Sequence, residues 1–258
     1  MSSYANHFLT NVILRIDFVS GESQLKTELS NAVKEICIKH FPIAEEKKVE
    51  IKEFRISNNP DIQSTIINAE AALEWHFFGK NREKELCITA SNIFVEFKAY
   101  SSFKEFKEPF WEVLSQLLIT YPDIKLNRVG LRYIDQISMV GDKALRKSWV
   151  SYWTKYISAP LIQGLAFADD DASLTRQMSS IEMNYGDHML RFQYGIHNED
   201  YPAPNKKRVF ILDTDIYAVG LFSLDDIDAN LVIFHEKAKS WFERAIKDAL
   251  RKKMGVIE

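Results

Sequence analysis

An α+β fold built as a tandem duplication is predicted by three features of the 258-residue chain. Apolar and polar residues alternate with period two over residues 8–18, and a strand rich in β-branched and large apolar residues opens the second half over 127–139. Each opening strand leads into a helical stretch, a meander of strands and a long closing helix. Residues at corresponding places also match: Val12, Leu14 and Arg15 with Val129, Leu131 and Arg132 at an offset of 117, and Ile93 and Phe94 with Ile216 and Tyr217 at 123. In the closing helices Phe103, Glu105, Phe110, Trp111 and Glu112 match Phe234, Glu236, Trp241, Phe242 and Glu243 at 131. An offset that only grows is what loop insertions in the second copy would produce.

The elements follow in order. Gly21 ends the first strand, and the spacing of Leu25, Leu29, Val33, Ile36 and Cys37 predicts a helix over 23–41, stopped by Pro42. Four strands follow at 48–56, 71–79, 85–91 and 93–100, with turns at Asn58-Asn59-Pro60, Gly79-Lys80-Asn81 and Ser91-Asn92. Phe103, Phe106, Phe110, Val113, Leu114 and Leu117 form the stripe of a helix over 103–119. In the second half, Gly141-Asp142 breaks the opening strand and a helix is predicted over 143–157, ended by Pro160. The acidic run Asp169-Asp170-Asp171 then leads to strands at 175–185, 188–197 and 208–219, and one helix over 227–254 closes the chain. Trp111 and Phe242, matched between the copies, are expected to be largely buried.

A β-α-β(meander)-α unit of this kind covers one face of an antiparallel sheet with its long helices. That is the helix-grip, TATA-binding-protein-like arrangement. The expected domains are residues 1–122 and 123–258, one repeat each, packed as one compact unit. Lys plus Arg number 33 against 36 Asp plus Glu, a formal charge of −3, which excludes a globally polycationic nucleic-acid binder. Two cysteines, Cys37 and Cys87, are too few for a disulfide framework. With no apolar signal core and no long apolar run, a cytoplasmic protein without a membrane span is expected.

No phosphate loop, dinucleotide fingerprint, zinc-protease helix or nucleophile elbow occurs, so no catalytic residue, metal ligand or cofactor is assigned. The histidines show no i, i+4 helical ligand spacing. Candidate ligand-binding residues are Arg15, Arg132, Tyr133, Asp135, Arg191, Asp213 and Asp215. Arg15 and Arg132 take equivalent places in the opening strands, where a guanidinium fork suits a carboxylate or phosphate, or a salt bridge to Asp17 or Asp135. Asp213 and Asp215 lie two apart on one strand and so share a face; with Glu182 they could hold a cation, or they could meet a cross-strand arginine such as Arg191. His235-Glu236 diverge on their helix, and the Lys104–Lys107 and Arg244–Lys253 clusters read as solvated helix faces. Trp149, Tyr152, Trp153 and Tyr156 on one helix are either core or a surface for a protein partner.

The runs 127–135 (Asn-Arg-Val-Gly-Leu-Arg-Tyr-Ile-Asp) and 210–215 (Phe-Ile-Leu-Asp-Thr-Asp), with Phe234-His235-Glu236 and Met254-Gly255, resemble a sporadically distributed family of uncharacterised prokaryotic proteins of about this length. The resemblance spans nearly the whole chain and implies no catalytic residue. Patchy distribution is compatible with mobile defence or toxin–antitoxin-like loci. The expected function is non-catalytic binding of a protein partner or small ligand. Nucleic-acid binding through Arg15, Arg132 and Arg191 is the disfavoured alternative, and a metal-dependent hydrolase or nuclease using Asp213, Asp215 and Glu182 is a third.

Overall fold

The computed structural model describes residues 3–55, 65–139, 149–170, 173–203, 205, 207 and 209–257. The fold is α+β, with strands β1 (Ser3–Tyr4), β2 (Leu9–Phe18), β3 (Ile43–Arg55), β4 (Thr65–Phe78), β5 (Lys84–Ile88), β6 (Asn92–Phe97), β7 (Leu126–Ile137), β8 (Gln177–Asn184), β9 (Met189–His197), β10 (Val209–Phe222) and β11 (Val256–Ile257). The helices are α1 (Asn31–His40), α2 (Phe103–Thr120), α3 (Trp149–Tyr156), α4 (Ala159–Ala166), α5 (Leu224–Ala245) and α6 (Asp248–Met254). Among the described residues nine strands hydrogen-bond in the antiparallel order β3-β4-β5-β6-β2-β7-β10-β9-β8, and β1 pairs with β11. Among the described residues no helix is long and apolar enough to cross a membrane.

Two compact units are present. The first comprises Met1–Ile13, Gly130–Val219 and Leu224–Glu258, the second Leu14–Val129 and Gly220–Ser223, so β2 and β7 each contribute to both. In the second unit the alternation of β2 buries Leu14, Ile16 and Phe18 and leaves Arg15 exposed. The buried face meets helices: Phe97 of β6 packs edge-on against Phe106 of α2, and the Trp75 indole N–H donates to the Leu25 carbonyl at 2.8 Å. Helix α2 starts where Ser102 accepts from the Glu105 backbone N–H, and it buries the predicted stripe from Phe106 to Leu117. In the first unit Phe210 of β10 packs on Trp153 of α3, and Phe192 of β9 on Trp241 of α5. A turn through Gly186 and Asp187 joins β8 to β9, with Gly186 at φ 93°, where a side chain would be strained.

Several expectations are corrected. The helix over 23–41 is a 3-10 turn (Ser23–Lys26), capped by the Glu22 carboxylate, followed by α1. Pro160 starts α4 rather than only ending α3, since the first helical turn does not need its missing N–H. The closing helix divides into α5 and α6 because Ile246 bridges Ile157 and the Lys247 N–H donates to the Tyr156 carbonyl, drawing the backbone out of the helical ladder. Trp111 and Phe242 are half-buried, not largely buried, and Lys107 Nζ lies 5.4 Å from the centre of the Trp111 ring. The Asn58-Asn59-Pro60 turn and Gly141-Asp142 lie outside the described residues.

Candidate functional site

In the first unit, β10 turns Phe210, Leu212, Thr214 and Ile216 toward the helices and carries Asp213 and Asp215 on its other face. Asp213 is the cross-strand partner of Gln193 and Asp215 of Arg191, while Arg191 is in turn the partner of Glu182 on β8. Arg132 of β7 reaches the same face and takes Asp213 in a bidentate grip, Nε to Oδ1 at 2.8 Å and Nη2 to Oδ2 at 2.6 Å. Arg191 Nη2 donates to Asp215 Oδ2 at 3.1 Å. Both aspartates are nearly enclosed and both arginines are partly open, with Arg132 35% and Arg191 41% exposed along the side chain. Asp213 and Asp215 thus meet two different arginines. A cation at this pair would have to displace guanidinium groups that already hold the carboxylate oxygens.

The sequence brackets Arg132 with Asp135, but three residues along a strand reverses the face. Asp135 lies with Tyr133 on the buried face, and it makes no salt bridge to Arg132. Burial pushes the Asp135 carboxyl up to about 7. The Tyr133 hydroxyl lies 2.7 Å from His235 Nδ1 on α5. Burial also holds the His235 imidazole below its ordinary value, with Lys239 adding to that effect and Glu236 opposing it. Glu236 itself points to solvent, as expected for adjacent helical residues.

In the second unit Arg15 Nε donates to Asp17 Oδ1 at 2.6 Å, one of the two salt bridges anticipated for these arginines, and Arg128 approaches the other Asp17 oxygen at 3.7 Å. On the same sheet face β4 and β5 assemble a cluster absent from the sequence-based candidates. His76 is the register partner of Cys87, with Glu74 two residues before it. His76 Nδ1 lies 2.6 Å from Glu85 Oε1, and His76 Nε2 lies 3.2 Å from Glu74 Oε2 and 3.7 Å from Cys87 Sγ. Burial, reinforced by Glu74 and Glu85 and opposed by Lys47 and Arg15, pushes the Cys87 thiol up to about 12. The signal was present as Glu-x-His on a strand, with the turn after Gly79 setting the register to Cys87. Screening for helical ligand spacing passes over it.

Tyr152, Trp153 and Tyr156 of α3 are core. Trp153 is fully buried and Tyr152 and Tyr156 are nearly so, which corrects their candidacy as a partner surface; the Trp149 side chain lies outside the described residues. The basic clusters are tied to neighbours: Lys104 pairs with Glu108, and Arg251 with Glu243 and Asp248. Against known proteins, no family model matches the chain and no curated protein matches its sequence.

Proposed function

We propose that the chain is a non-catalytic binding protein that holds a protein partner or a small ligand. The observation that carries this reading is the pairing of its open-face charges: Arg15 with Asp17, Arg132 with Asp213, and Arg191 with Asp215. Arginines that each meet an aspartate, with Asp17 shared between Arg15 and Arg128, give little net positive potential for a phosphate backbone, and engaged carboxylates are poorly placed to act as bases or metal ligands. Surfaces with charges paired in this way recognise a ligand through shape and hydrogen bonds. Apolar side chains that point to solvent, Val232 and Ile233 on α5 and Phe167 after α4, favour a protein as partner.

Duplication of a helix-grip unit is part of the same proposal. It is supported by strand order, since β2 lies beside β6 and β7 beside β10, in each case the opening strand next to the last strand of its meander. Matched residues also share burial, with Ile93 and Ile216 buried and Phe94 and Tyr217 half-buried. Two reduced, buried cysteines fit a reducing cytoplasm, and the family resemblance fits an accessory role at a mobile defence or toxin–antitoxin-like locus.

The test is affinity capture from the native host, with products of neighbouring genes examined first, beside gel-shift titrations with DNA and RNA at low and physiological salt. Recovery of one stoichiometric partner, without nucleic-acid retention, is expected. Micromolar DNA or RNA binding lost in Arg15→Ala or Arg132→Ala would replace this reading with nucleic-acid recognition. Metal-dependent phosphodiester cleavage abolished by Asp213→Asn would replace it with a hydrolase.

A further inference from the structure

The β4–β5 pair of the second unit places three metal-donor atoms together. Glu74 Oε2, His76 Nε2 and Cys87 Sγ all lie within 4.8 Å of one another. Around a tetrahedral zinc ion, with bonds of about 2.0–2.3 Å, donor atoms stand roughly 3.4–3.6 Å apart. The two distances from His76 Nε2, 3.2 Å to Glu74 and 3.7 Å to Cys87, bracket that edge length. We propose that Glu74, His76 and Cys87 form a binding site for a zinc-class divalent ion, with Glu85 orienting the histidine and a fourth coordination position open to water.

The second shell supports the assignment. Glu85 lies 2.6 Å from His76 Nδ1, the carboxylate–imidazole arrangement that keeps the proton on the far nitrogen and presents the Nε2 lone pair to a metal. In the tautomer whose Nδ1–H donates to Glu85, Nε2 and the Glu74 carboxylate face each other as two acceptors, and a cation between them relieves the repulsion. Thiolate and imidazole donors select a borderline-soft ion over magnesium or calcium. Binding exchanges the Cys87 thiol proton for the metal, and the resulting thiolate and carboxylate balance its two positive charges. His76 and Cys87 are buried, whereas Glu74 is about one-third exposed, which leaves a route in from solvent.

A cobalt(II) titration of the full chain under reducing conditions tests the site, with zinc as competitor. One cobalt ion per chain is expected, showing a thiolate-to-cobalt charge-transfer band and the intense visible bands of tetrahedral cobalt, both erased by zinc. Cys87→Ser should lose the charge-transfer band, and Cys37→Ser, which alters the other buried cysteine, should keep it. Glu85→Gln should weaken binding about 10–100-fold. Glu74→Gln, at a partly exposed position that leaves the fold intact, should weaken it by about tenfold or more and carries the test if Cys87→Ser does not fold. No charge-transfer band in the folded parent, or unchanged affinity in Glu74→Gln, would overturn the proposal and leave His76 as a histidine hydrogen-bonded between two glutamates. The outcome is independent of partner capture, so either reading can fail alone.

Discussion

Arg132 and Asp213, 81 residues apart in sequence, form a two-point clamp in which both carboxylate oxygens accept from one guanidinium. Asp213 is only 7% exposed, so its charge depends on that partner. Arg132→Ala should therefore cost roughly 1–3 kcal/mol, more than a surface ion pair. In a double-mutant cycle by urea denaturation, Asp213→Asn should recover part of the loss in the Arg132→Ala background. Strictly additive effects would mean that the clamp is not a coupled unit.

Asp135 makes stability depend on pH in an unusual direction. Its carboxyl rises to about 7 in the folded chain from an ordinary value near 3.8. Between those two values the unfolded state releases a proton that the folded state keeps, so folding becomes less favourable as pH climbs. Asp135→Asn removes the penalty, which is on the order of a few kcal/mol when fully developed. Urea midpoints should converge near pH 4, and the variant should gain over the parent up to about pH 7.

His235 acts in the opposite sense. Burial depresses its folded-state pKa, so the unfolded chain takes up the proton first and stability declines as pH falls through about 6.5. An NMR titration should show this imidazole protonating later on acidification than an exposed histidine. Tyr133→Phe removes a 2.7 Å hydrogen bond to its ring and should cost about 1 kcal/mol.

Trp153 is fully buried against Phe210, and its indole Nε1 has no hydrogen-bond partner among the described residues. Trp153→Ala should cost roughly 3–5 kcal/mol in thermal or urea unfolding. Trp153→Phe should retain most of that stability, because no hydrogen bond is lost with the indole. Unfolding indistinguishable from the parent in Trp153→Ala would return α3 to the list of exposed surfaces.

Local pattern reaches some of these features and not others. The stripe from Phe106 to Leu117 marks the buried side of α2, whereas the Arg132–Asp135 pairing considered from the sequence fails because residues three apart on a strand face opposite ways. The partner of Asp213 depends on which strand lies beside β10, which no local pattern encodes. The interruption at Ile246 has the same origin, a backbone bridge to Ile157 at the end of α3. The Glu74–His76–Cys87 cluster lies between these cases. Its strand spacing and hairpin register are local, but they become visible only when ligand spacing is read with period two.

The allocation of β2 and β7 to both units has a consequence for how the chain is made. Residues Leu14–Val129 leave the ribosome as one continuous stretch and supply nearly all of the second unit, whereas Met1–Ile13 belong with segments synthesised last. The Tyr4 hydroxyl, for example, hydrogen-bonds Glu243, and the Thr10 hydroxyl donates to the Ile134 carbonyl. Most of the second unit is therefore synthesised while the N-terminal half-strand still waits for its neighbours and Gly220–Ser223 are still to come. During that interval the half-strand is an unpaired β-edge, a template for pairing with another chain until its own neighbours are made.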